Sequence, residues 1–528
     1  MDTKVFLDRR GVWAFALGCI MVSAGVLLHI PMFLMGKDMG FKLAGMPMDN
    51  GMLVGMFLII AGIAVAGYGL LPRGVGAQIK SGARITVAAP EDAKLGPAHA
   101  LLMVVLVVAL IIDVMKPASL GFVMPGLIKE YGVTKAQASG VPFFALIGTV
   151  TGSILWGIFA DIYGRKASIL LSAVVFVGTS ICGAMPSLLW NEIMCFLMGA
   201  GAGGMLPVTY ALLAETMPSR HRGWALVLVG GLGAVGGYFA ASGFSYLLVP
   251  TFSWRILWLI NMPTGLILIL MGGLIPESAK FLLSRGRDTE AHKIMTRFGT
   301  VSHKLGENEE DVDDTFAHHH TKQDGTEPKL WTPGLIGKTA ALTIAALAWG
   351  LINFGLLLWL PNDLVSKGYS MALSSKLLAQ SALIAFPTVF LCTWIYSQWS
   401  TKWAFTTMIA VTLAGLIWVL LLERLGGSPV LPIALLIIGS NGILAILLPY
   451  ASESYPLKIR GRATGWVAAC TKGGGVLAQT LSITALVPPL GLAAGMIIVP
   501  ILITLGLFIK FGTETRGLDL RELERDHK

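Results

Sequence analysis

The sequence predicts an all-α polytopic membrane protein in which two related six-helix halves follow two extra N-terminal transmembrane helices. Three observations predict this class. The 528 residues are 55% hydrophobic and only 13% charged, about half the charged fraction of soluble domains. Fourteen apolar runs are each long enough to cross a bilayer, which takes roughly 20 residues. A nine-residue motif occurs twice, each time at the end of one of these runs.

The apolar runs divide the chain into five regions. Two accessory spans lie at about 11–35 and 51–72, and the first is too long for a signal-peptide core. Twelve further spans, numbered here as core helices 1 to 12, lie at about 98–121, 138–160, 167–187, 190–214, 223–249, 255–275, 338–360, 376–397, 403–422, 430–450, 463–487 and 491–510. The predicted regions are therefore the accessory helices with their cytoplasmic linker (1–97), an N-terminal six-helix half (98–280), a cytoplasmic central loop (281–336), a C-terminal six-helix half (337–511) and a cytoplasmic tail (512–528).

The formal charge of +9 comes from basic residues that collect in alternate loops between the spans. Basic loops favour the cytoplasmic side of a membrane. Threading fourteen helices puts these loops and both termini in the cytoplasm, so we expect a multi-pass protein of the inner (cytoplasmic) membrane with the lipid bilayer as its partner. Because the basic residues form no patch interleaved with aromatic residues, we expect no nucleic-acid binding.

The cysteines and histidines do not indicate a resident cofactor. All five cysteines lie inside apolar runs without CxxC spacing, so neither a zinc site nor a disulfide framework is expected. The central loop holds a stretch rich in histidine and acidic residues at 303–320, which could bind a divalent ion or be a solvated acidic linker. Three contiguous histidines do not wrap one ion, which favours the linker. No nucleophile–base pair, phosphate loop or metal-ligand set appears, so we expect no enzyme.

An internal repeat relates the two halves. Residues 215–223 read E-x-x-P-x-R-x-R-G and residues 453–461 read E-x-x-P-x-K-x-R-G. Each motif follows the fourth core span of its half, and the two glutamates are 453 − 215 = 238 positions apart. Two six-helix halves related by repetition are typical of carriers that work by alternating access.

Two further motifs carry a resemblance to a known family. Residues 157–166 read G-I-F-A-D-I-Y-G-R-K, and residues 276–282 read P-E-S-A-K-F-L with Arg285-Gly286-Arg287 after them. The first resembles the G-x-x-x-D-x-x-G-R-[RK] motif of the major facilitator superfamily. The second is similar to a motif of its sugar-porter branch and of the metabolite:proton symporters, which include synaptic-vesicle-protein-2-like and niacin-type organic acid carriers. The resemblance covers about residues 98–511 and implies the major facilitator fold.

The motif residues suit a gate at the cytoplasmic ends of the helices. Asp161 and Arg165 lie four residues apart at a helix end, with glycines that allow a tight turn. Ion pairs of Glu215 with Arg222, of Glu453 with Arg460 and of Glu277 with nearby arginines could close that side. The alternative is that these charges only fix the topology. The predicted gating residues are Gly157, Asp161, Gly164, Arg165, Lys166, Glu215, Arg222, Glu277, Glu453 and Arg460.

Three ionisable residues stand at membrane depth, where a charge needs a partner or a water-filled cavity. Core helix 1 carries Asp113 near its middle and Lys116 three residues later, on one helix face. Core helix 11 carries Lys472, followed by Gly473-Gly474-Gly475, which lets a backbone or a ligand approach closely. Two lysines against one aspartate leave spare positive charge, which favours an anionic cargo. Alternatively, Asp113 and Lys116 neutralise each other, and Lys472 snorkels to an interface.

The family resemblance implies roles for these charges. An acid in helix 1 takes up the coupling proton in many members, which implies that role for Asp113. A cation in helix 11 recurs in relatives that move organic anions, and Lys472 occupies that place. One departure concerns helix 4, where sugar porters carry an arginine and this chain has Cys195. Lys116 could take the part of that arginine.

Four polar residues on cavity-lining helices are weaker candidates for cargo contacts, because such residues more often hydrogen-bond between helices. They are Asn353, Gln380, Asn441 and Tyr238. The sequence therefore predicts a secondary transporter, with proton-coupled symport of a small organic anion such as an aromatic or heterocyclic carboxylate as its function. Asp113 is the predicted proton site, and Lys116 and Lys472 are the predicted anion contacts. The alternatives are a sugar carrier, a drug or metabolite exporter, and a carrier-fold sensor that does not transport.

Overall fold

The protein is described by a computed structural model that covers residues 9–71, 85–88, 94–304, 330–332, 334–455, 457–484 and 490–516. In this part of the chain, twelve helices are long and apolar enough to cross a membrane. The prediction of an all-helical, multi-pass membrane fold is confirmed. Two predicted spans lie outside these twelve: core helix 6 is broken into short helices within Ile256–Met271, and core helix 11 is long but less apolar.

The helices follow the chain in the predicted order. The two N-terminal helices are Arg9–Leu27, which continues as Ile30–Met35, and Asn50–Leu70. Core helices 1 to 6 are Pro97–Tyr131, Gly140–Tyr163, Arg165–Gly178 with the 3₁₀ turn Thr179–Ala184, Leu188–Ala202 with Met205–Thr216, Ser219–Phe252, and Ile256–Leu259 with Asn261–Met271. Core helix 7 consists of Ile336–Gly350, the π-helical Leu351–Leu357 and Leu360–Ser366, and core helix 8 consists of Met371–Trp394 and the π-helical Ile395–Trp399. Core helices 9 to 12 are Thr401–Leu425, Val430–Ser454, Leu457–Ile483 and Leu490–Phe511.

The two N-terminal helices pack tightly against each other through glycines. A Cβ on Gly18 would lie 2.6 Å from the Gly62 carbonyl oxygen, and a Cβ on Gly25 would lie 2.5 Å from that of Gly55. Small residues let helix backbones approach in this way where no hydrophobic effect drives helices together. The pair then lies on core helix 3, where a Cβ on Gly178 would meet Ile59. The hairpin is therefore attached to the first six core helices.

The loop between the two N-terminal helices is held by a buried ion pair. Glu130 accepts hydrogen bonds from the backbone amides of Leu43 at 2.7 Å and Ala44 at 3.1 Å. The same carboxylate pairs with Arg255 at 2.7 Å, and Arg255 is fully buried. Arg255 also donates to the carbonyls of Gly183 and Met185. Because both charges are hydrogen-bonded on several sides, the pair can hold this loop in place.

A small antiparallel sheet joins two segments that lie outside the helices of the membrane core. Strand Ile85–Ala88 pairs with strand Val301–Lys304. The linker prediction did not include this ribbon, because four residues with two β-branched side chains carry too weak a signal within a polar stretch. Before the second strand, helices Ala279–Ser284 and Asp288–Phe298 lie against the first six core helices, with Ala291, Ile294 and Phe298 buried.

Candidate functional site

Asp113 lies near the middle of the 35-residue core helix 1 and is almost completely buried. Its Oδ1 atom has no hydrogen-bond partner among the described residues. Pro117 lies four residues later inside the same helix and lacks the amide that would bond the Asp113 carbonyl. Residue 113 thus offers unpaired acceptors from side chain and backbone. A carboxylate so placed needs a proton, a cation or a ligand.

Lys472 lies on core helix 11, which is held close to core helix 7 by glycines. A Cβ on Gly474 would lie 2.1 Å from the Leu347 carbonyl oxygen, and a Cβ on Gly350 would lie 2.3 Å from that of Thr471. The predicted close approach at the glycine run is therefore made by the backbone of core helix 7. The Nζ atom of Lys472 lies 5.7 Å from the centre of the Phe354 ring on that helix.

Asp113 and Lys472 lie close enough for their charges to interact, as do Asp113 and Lys116. One residue belongs to the first six core helices and the other to the last six. An acid and a base within electrostatic range of each other, on two different groups of helices, form a site whose charge balance changes when the acid or the base binds a proton or an ion.

Lys116 points away from this site. Its ammonium donates to the carbonyl oxygen of Phe176 at 3.1 Å and to Thr179 Oγ1 at 2.5 Å, and it lies 3.8 Å from the centre of the Phe176 ring. The side chain is fully buried. Asp113 and Lys116 both lie in the described part of the chain, and no hydrogen bond or ion pair joins them. The three-residue spacing puts both on core helix 1, but core helix 3 supplies better partners for the ammonium.

The weaker polar candidates take different positions. Asn441 is buried and lines a narrow cavity with Gly231 and Thr388, which has room for about one water molecule. Tyr238 packs on Phe122 with ring centres 6.0 Å apart, and its hydroxyl has no partner among the described residues.

Two other candidates have no hydrogen bond to Asp113 or Lys472 among the described residues. Asn353 donates to the carbonyl of Trp349 in its own helix at 3.1 Å. Gln380 lies on the exposed stripe of core helix 8 with Leu373, Leu383 and Ile384.

Glu277 closes the loop between core helices 2 and 3. Its carboxylate accepts hydrogen bonds from the backbone amides of Arg165 at 2.7 Å and Lys166 at 3.2 Å, at the N-terminus of core helix 3. A helix N-terminus has free amides and a positive dipole, so it binds a carboxylate well. Gly164 adopts φ = 101°, and a Cβ there would lie 2.5 Å from Glu277 Oε2. The expectation that Glu277 pairs with arginine side chains is corrected: it binds backbone amides.

The partner of Glu215 also differs from the expected one. Its carboxylate pairs with Arg165 at 3.3 Å and not with Arg222 of its own motif. Arg222 instead lies within electrostatic range of both Glu453 and Glu215. A Cβ on Gly223 would lie 2.5 Å from Glu453 Oε1, so the two copies of the repeated motif touch. We call this end of the molecule, with residues 215–223 and 453–455, the motif end.

For three of the predicted gating residues, the described part of the chain shows no gating contact. The side chains of Asp161 and Arg460 lie outside the described residues. A Cβ on Gly157 would meet nothing within 4 Å, so no close approach requires glycine there.

Residues missed by the sequence analysis complete the motif end. Glu514, which follows core helix 12, accepts hydrogen bonds from the amide of Thr401 at 3.0 Å and its hydroxyl at 2.7 Å. Glu453 accepts hydrogen bonds from the hydroxyls of Tyr396 at 2.6 Å and Thr515 at 3.1 Å. A signal was present: Glu-Ser at 277–278 recurs as Glu-Thr at 514–515, after 514 − 277 = 237 positions.

The two groups of core helices also touch at the opposite end. The hydroxyls of Ser245 on core helix 5 and Ser375 on core helix 8 are 2.8 Å apart. A Cβ on Gly121 of core helix 1 would lie 2.5 Å from the Leu358 carbonyl oxygen. The two groups of core helices are therefore in contact both at the motif end and at the opposite end.

The described residues include no group of three or more metal-ligating side chains that could hold an ion. The His- and acid-rich stretch from 305 onward lies outside the described residues. The five cysteines are unbridged.

Comparisons with known proteins agree with this architecture. A family model described as Major Facilitator Superfamily matches residues 100–479. The niacin transporter NiaP of Acinetobacter baylyi is 26% identical over 445 residues, which cover 82% of this chain and 98% of that protein. The 4-hydroxybenzoate transporter PcaK of Pseudomonas putida is 28% identical over 389 residues, which cover 69% of this chain and 81% of PcaK.

A solved structure has the same fold. The proton:xylose symporter XylE bound to 6-bromo-6-deoxy-D-glucose matches with a TM-score of 0.62 at 17% identity, over 81% of this chain and 99% of XylE. The family and its curated relatives are transporters, not enzymes. Since the family model spans well over half of the chain, the protein belongs to the Major Facilitator Superfamily of membrane transporters.

Proposed function

We propose that this chain is a proton-coupled symporter that carries a small aromatic or heterocyclic carboxylate by alternating access. The observation that carries the proposal is the buried Asp113 carboxyl, which has an unpaired oxygen and lies within electrostatic range of Lys472 on the other group of core helices. The relatives support the choice of cargo. NiaP is described as a niacin transporter. The benzoate transport protein of Acinetobacter baylyi is 26% identical over 407 residues, which cover 74% of this chain and 84% of that protein.

Competition for one ammonium explains how a proton and an anion would move together. When Asp113 is ionised, it neutralises Lys472, and a second carboxylate would bring excess negative charge into the site. When Asp113 binds a proton, Lys472 is free to pair with the cargo carboxylate. One proton and one carboxylate then enter together without a change in the net charge of the site. Asp113 is almost completely buried and Lys472 is half-buried, so less water screens their interaction than would screen it at the surface.

The contacts at the two ends of the core helices would act as gates. At the motif end, Arg222 lies within electrostatic range of Glu453 and Glu215 and would hold the two groups of helices together while the site opens to the other side. At the opposite end, the Ser245–Ser375 hydrogen bond would do the same while the motif end opens. The proposal places the motif end in the cytoplasm, where basic loops are favoured.

The proposal also includes the predicted topology and division of the chain. The broken helices within Ile256–Met271 and the helix Leu457–Ile483 would add two spans to the twelve described above, which makes fourteen. Both termini would then lie on the cytoplasmic side of the inner membrane. The N-terminal hairpin would be accessory to two six-helix halves, 98–280 and 337–511, joined by the central loop.

The test is uptake of labelled nicotinate, benzoate and xylose into proteoliposomes, with and without an inward proton gradient. Wild type is compared with Asp113→Asn and Lys472→Gln, and Lys510→Gln on the exposed end of core helix 12 is the matched control. We expect gradient-driven uptake of the carboxylates by wild type and Lys510→Gln, and at least about a tenfold loss in both site variants, since each removes one of the two interacting charges of the site. Uptake of xylose that does not depend on Lys472 would contradict the proposal.

A further inference from the structure

Core helix 7 contains a π-helical turn, Leu351–Leu357, next to the Asp113–Lys472 pair. The amide of Leu358 bonds to the Asn353 carbonyl, five residues back, at 3.1 Å. The wider turn places Phe354 against core helix 11, where a Cβ on Gly475 would lie 2.6 Å from the Phe354 ring. Such insertions in α-helices strain the helix and are frequent at functional sites.

Phe354 contacts a second aromatic ring and lies beside Lys472. Lys472 Nζ lies 5.7 Å from the ring centre. The Trp349 ring meets the Phe354 ring edge to face, with centres 5.8 Å apart at an angle of 89°. A planar cargo whose carboxylate is held by Lys472 would therefore have its ring next to aromatic side chains, which bind flat rings favourably.

Two buried polar atoms next to Phe354 have no partner among the described residues. One is the indole Nε1 of Trp349, which is only 5% exposed, and the other is Oε1 of Gln479, which is fully buried. The amide nitrogen of Gln479 is already used, since it donates to the Phe354 carbonyl. Buried polar groups in proteins are almost always hydrogen-bonded. A donor and an acceptor left open on two residues that contact Phe354 point to a bound molecule that completes them.

We propose that Trp349, Phe354 and Gln479 form a ring subsite beside Lys472, in which Phe354 contacts the cargo ring and the Trp349 indole donates a hydrogen bond to a polar atom of that ring. This inference rests on the proposed function. It adds that the protein recognises the ring of the cargo as well as its carboxylate. A ring nitrogen or a ring hydroxyl accepts this bond. Unsubstituted benzoate cannot, and it leaves the indole unpaired.

The experiment compares uptake of nicotinate, 4-hydroxybenzoate and benzoate by wild type and by Trp349→Phe, which keeps an aromatic ring and removes the donor. We expect the preference for nicotinate or 4-hydroxybenzoate over benzoate to fall by about fivefold to tenfold, the worth of one buried hydrogen bond. Trp359→Phe is the matched control. Its indole nitrogen is also buried and unpaired among the described residues, but its ring lies over Lys135. This variant should keep the wild-type preference.

Thermal unfolding in detergent shows whether Trp349→Phe folds. If it does not fold, a second variant tests the same proposal. Phe354→Leu should reduce the preference for benzoate over cyclohexanecarboxylate, which has the same size without the flat ring. An unchanged preference in a folded Trp349→Phe or Phe354→Leu protein overturns the ring subsite and leaves the symport proposal standing. Wild type that carries no aromatic carboxylate overturns both.

Discussion

Glu514 takes the same position against core helix 9 that Glu277 takes against core helix 3. Glu277 accepts a hydrogen bond from the amide of Arg165 at 2.7 Å, and Glu514 accepts one from the amide of Thr401 at 3.0 Å. Each carboxylate also accepts the amide of the residue that follows it. Each acid follows the sixth helix of its group and caps the N-terminus of the third helix. The internal repeat therefore includes these two acids as well as the motifs at 215–223 and 453–461.

The two capping acids should respond oppositely to pH. Burial raises the pKa of Glu277, in spite of the amides that bind it. Burial also acts to raise the pKa of Glu514, but hydrogen bonds from Ser400, Thr401 and the Arg516 amide outweigh it and hold this pKa below its usual range. A carboxyl group whose pKa is lowered in the folded protein stabilises the fold at pH values above its pKa in the unfolded chain, about 4.3. This contribution is lost as the pH falls through the pKa of the group in the folded protein. A raised pKa contributes stability below the unfolded value, and that contribution is lost as pH rises.

The measurement is thermal unfolding of wild type, Glu514→Gln and Glu277→Gln in detergent between pH 3 and pH 8, because the lowered pKa of Glu514 changes stability mainly below about pH 5. The stability difference between wild type and Glu514→Gln, about 1 kcal/mol for one capping interaction, should grow with rising pH. The difference between wild type and Glu277→Gln should shrink over the same range. Parallel pH profiles for the two variants would contradict the assignment.

Opening at the end opposite the motifs should require Ser245 and Ser375 to separate. Their hydroxyls are 2.8 Å apart, within the range that a disulfide between cysteines at these positions can span. We expect oxidised Ser245→Cys/Ser375→Cys protein to lose nearly all uptake and to recover it on reduction. Each single variant serves as a control, since neither can form this bridge. Full uptake by the cross-linked protein would show that this end does not open.

Gly474 and Gly473 should differ sharply in their tolerance of a side chain. A Cβ on Gly474 would lie 2.1 Å from the Leu347 carbonyl oxygen, whereas one on Gly473 would meet only a Leu347 methyl at 3.7 Å. Gly474→Ala must push core helices 7 and 11 apart, and we expect a stability loss of about 1–3 kcal/mol with reduced uptake. Gly473→Ala should fold and transport as wild type does. Equal effects in thermal unfolding would argue against the close crossing.

Glu130 should hold the loop of the N-terminal hairpin. Glu130→Gln leaves the fully buried Arg255 without its counter-charge, and we expect a loss of about 3 kcal/mol or more. The amides of Leu43 and Ala44 should also exchange hydrogen faster, because they lose a charged acceptor. Glu290→Gln breaks a pair with Arg287 near the surface and should change stability by less than about 1 kcal/mol. Unchanged exchange at residues 43 and 44 would remove Glu130 as the anchor.

Much of the fold could be predicted because a membrane makes hydropathy decisive. The helix Asn50–Leu70 coincides within two residues with its predicted span, and Thr401–Leu425 does so at its start. The strands Ile85–Ala88 and Val301–Lys304 could not be predicted, because they pair across more than 200 residues and each is too short to show a period. The repeat of Glu277 at Glu514 was readable in the sequence, but a two-residue match becomes meaningful only when both acids are seen on helix N-termini.

The sequence by itself determined the family, the apolar spans, the repeated motifs and the presence of Asp113 and Lys472 at membrane depth. These properties depend on neighbouring residues, and local composition records them. Only the tertiary structure decided where side chains point and what they meet. It turned Lys116 toward Phe176 and Thr179, paired Glu215 with Arg165, and gathered Trp349 and Gln479 around Phe354. The physical reason is that such partners come from different helices: 60 residues separate Lys116 from Phe176 and 125 separate Gln479 from Phe354. Packing between helices, not local composition, chooses among them.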